Sequence, residues 1–342
     1  MKVDAERFLE LSETYSIVDV RSPAEFEQGH IPGAVNIPLF SNEERAVVGT
    51  LYKQSGRFSA VLKGLDIAGP KMSGFLKKAV AIAKDKKVLV HCWRGGMRSE
   101  SMAWLFARGG LEAVILEGGY KAYRRHIREQ WNNDITLVVI GGMTGSGKTA
   151  LLHKLDAFGE QVIDLEGRAN HKGSAFGAIG QHNQPTSEQF ENNLAGYWKT
   201  LSCGAPVFIE DESRSVGSVS LPESLFFRMR QAPVIHIDVP KKYRVERLVR
   251  EYAAYSNDLL ADAISRITKR LGGQNAKAAL QALNMRDYET VADITLTYYD
   301  KAYLKGLANR DKQTIHTLKL ESNDVTGNAE KLLEFYQENF IE

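Results

Sequence analysis

The chain has 342 residues, 43% of them hydrophobic and 25% charged, which is long for one compact core, so two domains are expected. Its 44 Lys and Arg nearly balance 42 Asp and Glu, which excludes nucleic-acid binding driven by overall charge and leaves only a local patch. No apolar run approaches the roughly 20 residues of a membrane span, and the two cysteines, Cys92 and Cys203, are too few for a disulfide framework or a cysteine-based zinc site; a cytoplasmic protein without a membrane partner is expected.

In chain order, MKVDAERFLELSETYS reads as an amphipathic helix rather than a signal peptide. The β-rich runs SIVDV, AVNIP, KVLVHC and AVILEGG then alternate with helical stretches such as MSGFLKKAVAIAKD and SESMAWLFARGG, the pattern of an α/β domain with a largely parallel sheet. The polar helical segment YKAYRRHIREQWNND leads into ITLVVIGG, and the boundary is placed there, giving domains of 1–131 and 132–342. The second part repeats the alternation with QVIDLEG, PVFIEDES and PVIHIDVP as strands. From about residue 241 the pattern turns helical and basic, with ten Lys or Arg against four acids over 241–286. A solvated helical face and a phosphate-backbone contact surface explain that excess equally well.

Cys203, in TLSCGAPVFIE, reads as a small buried apolar residue. Cys92 is different, because a strand delivers it into HCWRGGMRS, where Trp93, Arg94, Gly95, Gly96 and Met97 separate it from Arg98. The loop is expected to ring the thiol with backbone N–H groups, and Arg98 and Arg94 to favour the thiolate, its reactive form. Such a thiolate attacks a sulfur or selenium donor, or a phosphate ester. Five intervening residues suit the second as well as the first, so the loop alone leaves both open. Trp93 is equally a stacking surface for an unstacked base and a packing residue.

The run Gly142-x-x-x-x-Gly147-Lys148-Thr149 follows a strand and precedes an amphipathic helix, the required context of a phosphate-binding P-loop. Gly142, Gly145, Ser146 and Gly147 let successive N–H groups turn toward one anion, Lys148 adds a point charge, and the Thr149 hydroxyl is placed for Mg²⁺. A nucleotide and a prenyl diphosphate both qualify as the ligand. Glu210 or Asp211, at the end of VFIEDES, is a candidate for the metal's water shell. The glycine-rich DLEGRANHKGSAFGAIG brings Arg168, His171 and Lys172 close in sequence as a candidate second anion site.

Residues 17–38, IVDVRSPAEFEQGHIPGAVNIP, resemble the rhodanese signature through Asp19, Arg21, Glu25, Phe26 and the stretch from Gly29 to Ala34. Rhodanese loops usually place four residues between cysteine and arginine; this one has five, as in dual-specificity cell-cycle phosphatases of the same fold. A sulfurtransferase or Cys-x5-Arg phosphatase coupled to a nucleotide-binding P-loop domain is therefore the alternative reading. A rhodanese-like parallel-sheet domain followed by a P-loop α/β domain with a helical C-terminal part resembles the tRNA 2-selenouridine synthase family. The likeness is carried by NEERAVVGTLYKQSG, HCWRGGMRS, LEGGYKAYR, GGMTGSGKT, DLEGRANHKGSAFG, EDESRSVGSVSLPE and RLVREY, and weakens after about residue 255.

The resemblance implies a transferase that turns wobble 2-thiouridine in tRNA into 2-selenouridine through an S-geranyl intermediate. Its co-substrates would be geranyl diphosphate and selenophosphate, with an enzyme supplying selenophosphate as a partner. Carried over, Cys92 would receive or stabilise selenium and Arg98 with the loop N–H groups would hold selenophosphate. Gly64 would align with a glycine needed for selenation, and the P-loop would hold the diphosphate.

Overall fold

The computed structural model describes residues 1–340. The chain divides into two compact units, Met1–Asn132 with Glu191–Lys199, and Asn133–Phe190 with Thr200–Glu342.

The first unit is built on five parallel strands in the order Lys2–Val3, Glu112–Leu116, Lys87–His91, Ser16–Asp19, Val35–Asn36. The expected parallel α/β sheet is present. Its middle strand carries Val88, Leu89 and Val90, all fully buried, as a strand covered on both faces requires. The extreme N-terminus departs from the sequence reading: Lys2–Val3 pairs with Ile115 and Leu116 as an edge strand, and the helix begins only at Ala5, where the Asp4 side chain accepts from Arg7 N at 2.9 Å. Two residues are too few to show a period of two, so a capped helix dominates the local signal.

Residues 191–199 complete this unit. The Asn192 side chain accepts from Arg124 Nη1 at 2.6 Å and donates to His30 O and Tyr120 Oη, each at 2.8 Å. Trp198 lies edge-on to Trp131 with centroids 5.2 Å apart and donates to Gln130 O at 3.1 Å.

The second unit also holds five parallel strands, in the order Ile315–Lys319, Val234–Asp238, Leu137–Gly142, Val207–Glu210, Gln161–Ile163. Helix Lys148–Ala157 packs Leu151, Leu152 and Leu155 against Val138, Ile140 and Phe208. Helices Asn257–Leu271, Gly273–Asn284 and Tyr288–Leu307 form a separate apolar cluster through Leu260, Ile264, Ile267 and Leu283. The continuous helical reading after residue 241 is interrupted by the edge strand Ile315–Lys319, whose residues are half-buried or exposed and so show no strong apolar alternation. Among the described residues no helix is long and apolar enough to cross a membrane.

Replacing Trp198 by Ala removes an indole that is 1% exposed, and is expected to destabilise the protein by about 3–5 kcal/mol. Urea denaturation checks this; an unchanged midpoint would mean that residues 191–199 do not stabilise the unit.

Candidate functional site

In the first unit, strand Lys87–His91 ends at Cys92 and helix Met97–Arg108 begins directly after the loop. Gly96 stands at the helix N-cap position without a side-chain cap, so the first-turn N–H groups are left for an external acceptor. The loop folds tightly over the next strand-to-helix turn: Tyr120 N donates to Cys92 O at 2.8 Å and Lys121 N to Trp93 O at 3.0 Å. Gly119 has φ +61°, and a side chain there would fall on the backbone of Cys92, Arg94 and Gly95. The Cys92 Sγ lies 3.3 Å from Ser99 Oγ and 3.9 Å from Gly96 O, in a residue only 3% exposed.

The arginines are placed differently from the sequence expectation. Arg98 Nη1 donates to Glu25 Oε2 at 2.8 Å, and Arg94 is exposed to solvent. Burial acts against the Glu25 carboxylate, but the hydrogen bond and charge of Arg98 hold its pKa below the usual glutamate value. Glu25 thus ties the rhodanese-like signature to the cysteine loop, and it holds Arg98 at one guanidinium nitrogen. Met97 is 44% exposed, and Trp93, with its ring 5.7 Å from that of Tyr120, is still 37% exposed. Gly64 is buried in helix Asn42–Ala68, where a Cβ would sit 3.3 Å from Phe40 Cζ. It permits close approach of the helix to the Phe40 ring, the kind of close backbone approach a glycine there allows, with Phe40 as the neighbour.

In the second unit, Gly145 (φ +78°) and Gly147 (φ +89°) turn the phosphate loop between strand Leu137–Gly142 and helix Lys148–Ala157. Lys148 Nζ donates to Gly142 O at 3.0 Å, and Ser146 is buried. The loop opens into a cavity of about 540 Å³. Its lining combines Lys148, Thr149, Glu166 and Glu212 with the apolar and aromatic side chains of Phe176, Tyr252, Leu260, Tyr288, Val291 and Tyr299.

Three glutamates lie together here, Glu166 and Glu212 lining the cavity and Glu210 fully buried against Thr149 and Glu166. The Thr149 hydroxyl lies 2.7 Å from Glu210 Oε1 and 3.1 Å from Glu166 Oε2, and Glu166 N donates to Glu210 Oε2 at 3.0 Å. One hydroxyl proton serves one of these contacts, so the pair is satisfied when one carboxyl is protonated. Burial and the like charges of Glu166 and Asp164 push Glu210 up to about 8. Burial raises Glu166 as well, and burial with Glu166 raises Glu212 well above the usual range. Among the described residues no three His, Cys, Asp or Glu converge to hold a metal by themselves. One or two carboxylates beside a hydroxyl and a ligand phosphate nevertheless fit Mg²⁺, which keeps most of its waters; Thr149 and Glu210, with Glu166 behind them, would hold it.

The other sequence candidates separate. Asp211 accepts from Arg230 Nη2 at 2.8 Å and Arg310 Nη2 at 2.6 Å, so two cations already neutralise it, and Glu210 rather than Asp211 stands at Thr149. Lys172 lines the cavity but donates to Glu251 at 2.6 Å. Arg168 and His171 are half-buried outside the cavity wall, so this segment does not gather its three cations into one anion site. Cys203 is exposed in its loop, against the buried reading.

The basic run is not one face. Arg244 is buried, paired with Asp300 at 2.8 Å and donating to Thr144 O at 3.2 Å; Lys241 pairs with Asp293 at 2.6 Å. Arg250, Arg266, Lys269, Arg270, Lys277 and Arg286 are exposed. Sequence reading missed Glu166, Glu212, Ser99 and Arg247. The strand-end positions of the first two were the available signal, but whether a carboxylate faces inward is decided by packing.

The family model described as the tRNA 2-selenouridine synthase AAA domain matches residues 135–335, and that described as the Rhodanese-like domain matches residues 4–126. The tRNA 2-selenouridine synthase of Sulfurovum sp. (strain NBC37-1) is 36% identical over 354 residues, covering 94% of each chain. That of Nitrosomonas europaea is 33% identical, covering 86% of this chain and 89% of its own. Among solved structures, the N-terminal domain of a putative ATP/GTP binding protein from Clostridium difficile 630 is 39% identical, covers 37% of this chain and 98% of its own, and gives a TM-score of 0.35.

An unfolded glutamate ionises near 4.5 while folded Glu210 keeps its proton to about 8, so the folded state binds the extra proton and stability falls as pH rises through that window. Glu210→Gln is expected to flatten this fall in ligand-free protein, read from denaturant midpoints at a series of pH values. Equal slopes in the two proteins would rule out Glu210 as their source.

Proposed function

The chain belongs to the tRNA 2-selenouridine synthase family, and from that premise we propose that it converts wobble 2-thiouridine in tRNA to 2-selenouridine in two steps, S-geranylation by geranyl diphosphate and then selenium transfer from selenophosphate. The observation that carries this reading is the cavity of the second unit, whose lining joins the phosphate loop to a large apolar and aromatic surface. An isoprenoid chain buries against that surface and gains roughly 25 cal/mol per Å² removed from water.

In the first step the thiocarbonyl sulfur attacks C1 of the geranyl group, the C1–O bond breaks, diphosphate leaves and the base loses its N3 proton. The N–H groups of the loop and Lys148 take up charge on the leaving diphosphate, an electrostatic stabilisation that grows as the bond breaks. Bound at Thr149 and Glu210, Mg²⁺ would add positive charge there. The selenium of selenophosphate then attacks C2 and the C2–S bond breaks, the sulfur leaving as geranyl thiolate that takes up a proton; water cleaves the Se–P bond, releasing inorganic phosphate and leaving 2-selenouridine. The anion cradle around Cys92 suits selenophosphate: it offers orphan N–H groups of a helix start, an arginine and a thiol in one loop. Gly64 acts at a distance here, through the packing of Phe40. The exposed cations of residues 250–286 and the exposed part of Trp93 are the tRNA contacts this reading favours, and an enzyme that releases selenophosphate is its natural supplier.

The test is nucleoside mass spectrometry on thiolated tRNA incubated with purified protein. Geranyl diphosphate should yield a hydrophobic nucleoside, and added selenophosphate should convert it to selenouridine. Cys92→Ser is expected to block selenation while sparing geranylation, and Lys148→Ala to block geranylation. Aryl phosphate turnover that depends on Cys92, with neither nucleoside formed, would replace this reading by the phosphatase alternative.

A further inference from the structure

The geometry points to Arg247 as a second phosphate-binding cation of the loop Gly142–Thr149, shared with Lys148 and directed at a diphosphate rather than at a single phosphate. The inference rests on the cavity being a diphosphate site, and it adds a residue from outside the loop motif.

Helix Lys241–Tyr252 meets the phosphate loop through two arginines. Arg244 on this helix donates to Thr144 O, and one turn later Arg247 Nη1 donates to Gly145 O at 2.7 Å. The Arg247 guanidinium covers Gly147, where any side chain would fall on it, and Arg247 lines the same cavity as Lys148 and Thr149. Its second nitrogen, Nη2, donates to Asn323 Oδ1 at 2.9 Å, and Asn323 is itself fixed by donating to Glu246 Oε2 at 3.1 Å. The guanidinium is thus oriented from two sides while other N–H donors of its fork are left over.

Charge distinguishes Arg247 from the other cations of the cavity wall. Lys172 is paired with Glu251, and the field of Lys148 is shared by Glu166 and Glu212. Both hydrogen-bond partners of Arg247 are neutral. Burial works against its charge and Arg250 adds to this, while the Glu251 carboxylate, already paired with Lys172, offsets only part; arginine does not lose its proton in proteins, so a bound anion would relieve the rest. A diphosphate ester carries more negative charge than one lysine neutralises, and the fork geometry of arginine matches phosphate oxygens.

The probes are inorganic diphosphate and inorganic phosphate, titrated calorimetrically into the full-length protein. Wild type should prefer diphosphate. Arg247→Gln is expected to weaken diphosphate binding roughly 10- to 100-fold while changing phosphate binding little, and Arg247→Lys, which keeps the charge and loses the fork, should recover part of the loss. If Arg247→Gln weakens both anions equally and Arg247→Lys recovers nothing, the residue only shapes the loop and the inference falls. Diphosphate binding that depends on Arg247 without any geranyl transfer to thiolated tRNA would uphold Arg247 and overturn the proposed reaction. Absence of diphosphate binding in wild type would overturn both.

Discussion

A parallel strand that ends where a helix begins leaves the first-turn N–H groups of that helix without partners, and both candidate sites are built on this constraint. In one unit strand Lys87–His91 runs into helix Met97–Arg108; in the other strand Leu137–Gly142 runs into helix Lys148–Ala157. Each junction is turned by glycines, and each presents N–H groups and the positive end of a helix dipole to whatever anion fits. What differs is the side chain the junction carries, a thiol at Cys92 and an ammonium at Lys148. The same backbone device therefore suits two different chemistries.

Around Cys92 the loop is held from beneath by buried polar groups. Arg21 pairs with Asp19, donates to Gly29 O at 2.7 Å and lies 3.9 Å over the Tyr120 ring, while Tyr120 N donates to Cys92 O. Burial opposes the Asp19 carboxylate, and the charges of His91 and Arg21 hold it below its usual pKa; because burial also lowers His91, Arg21 is the permanent counter-charge. Breaking one half of such a fully buried pair leaves the other charge unpaired, so the arrangement resists drift. The signature residues upstream thus set the position of the thiol without touching it.

In the second unit the balance of charge is the organising feature. Glu166, Glu210 and Glu212 are packed together at a cost that protonation or a cation relieves, while Lys148 and Arg247 face the loop above them. The apolar lining contributed by Leu260, Tyr288, Val291 and Tyr299 comes from helix Asn257–Leu271, within the basic run, and helix Tyr288–Leu307, just after it. The C-terminal helices, read from sequence only as a charged surface, therefore also supply the apolar part of the cavity.

The sequence by itself determined the local pieces: the parallel α/β alternation, the Cys92 loop, and the phosphate loop between its strand and helix. These are legible because glycine placement and apolar periodicity act over a few neighbouring residues. Tertiary structure alone decided that Arg98 turns to Glu25, that Glu210 rather than Asp211 meets Thr149, that Gly64 serves Phe40, and that Arg247 lies over Gly147. Those pairings join residues dozens to a hundred positions apart. Their partners are chosen by which side chains the packed sheets and helices bring within hydrogen-bond reach, and no local pattern encodes that choice.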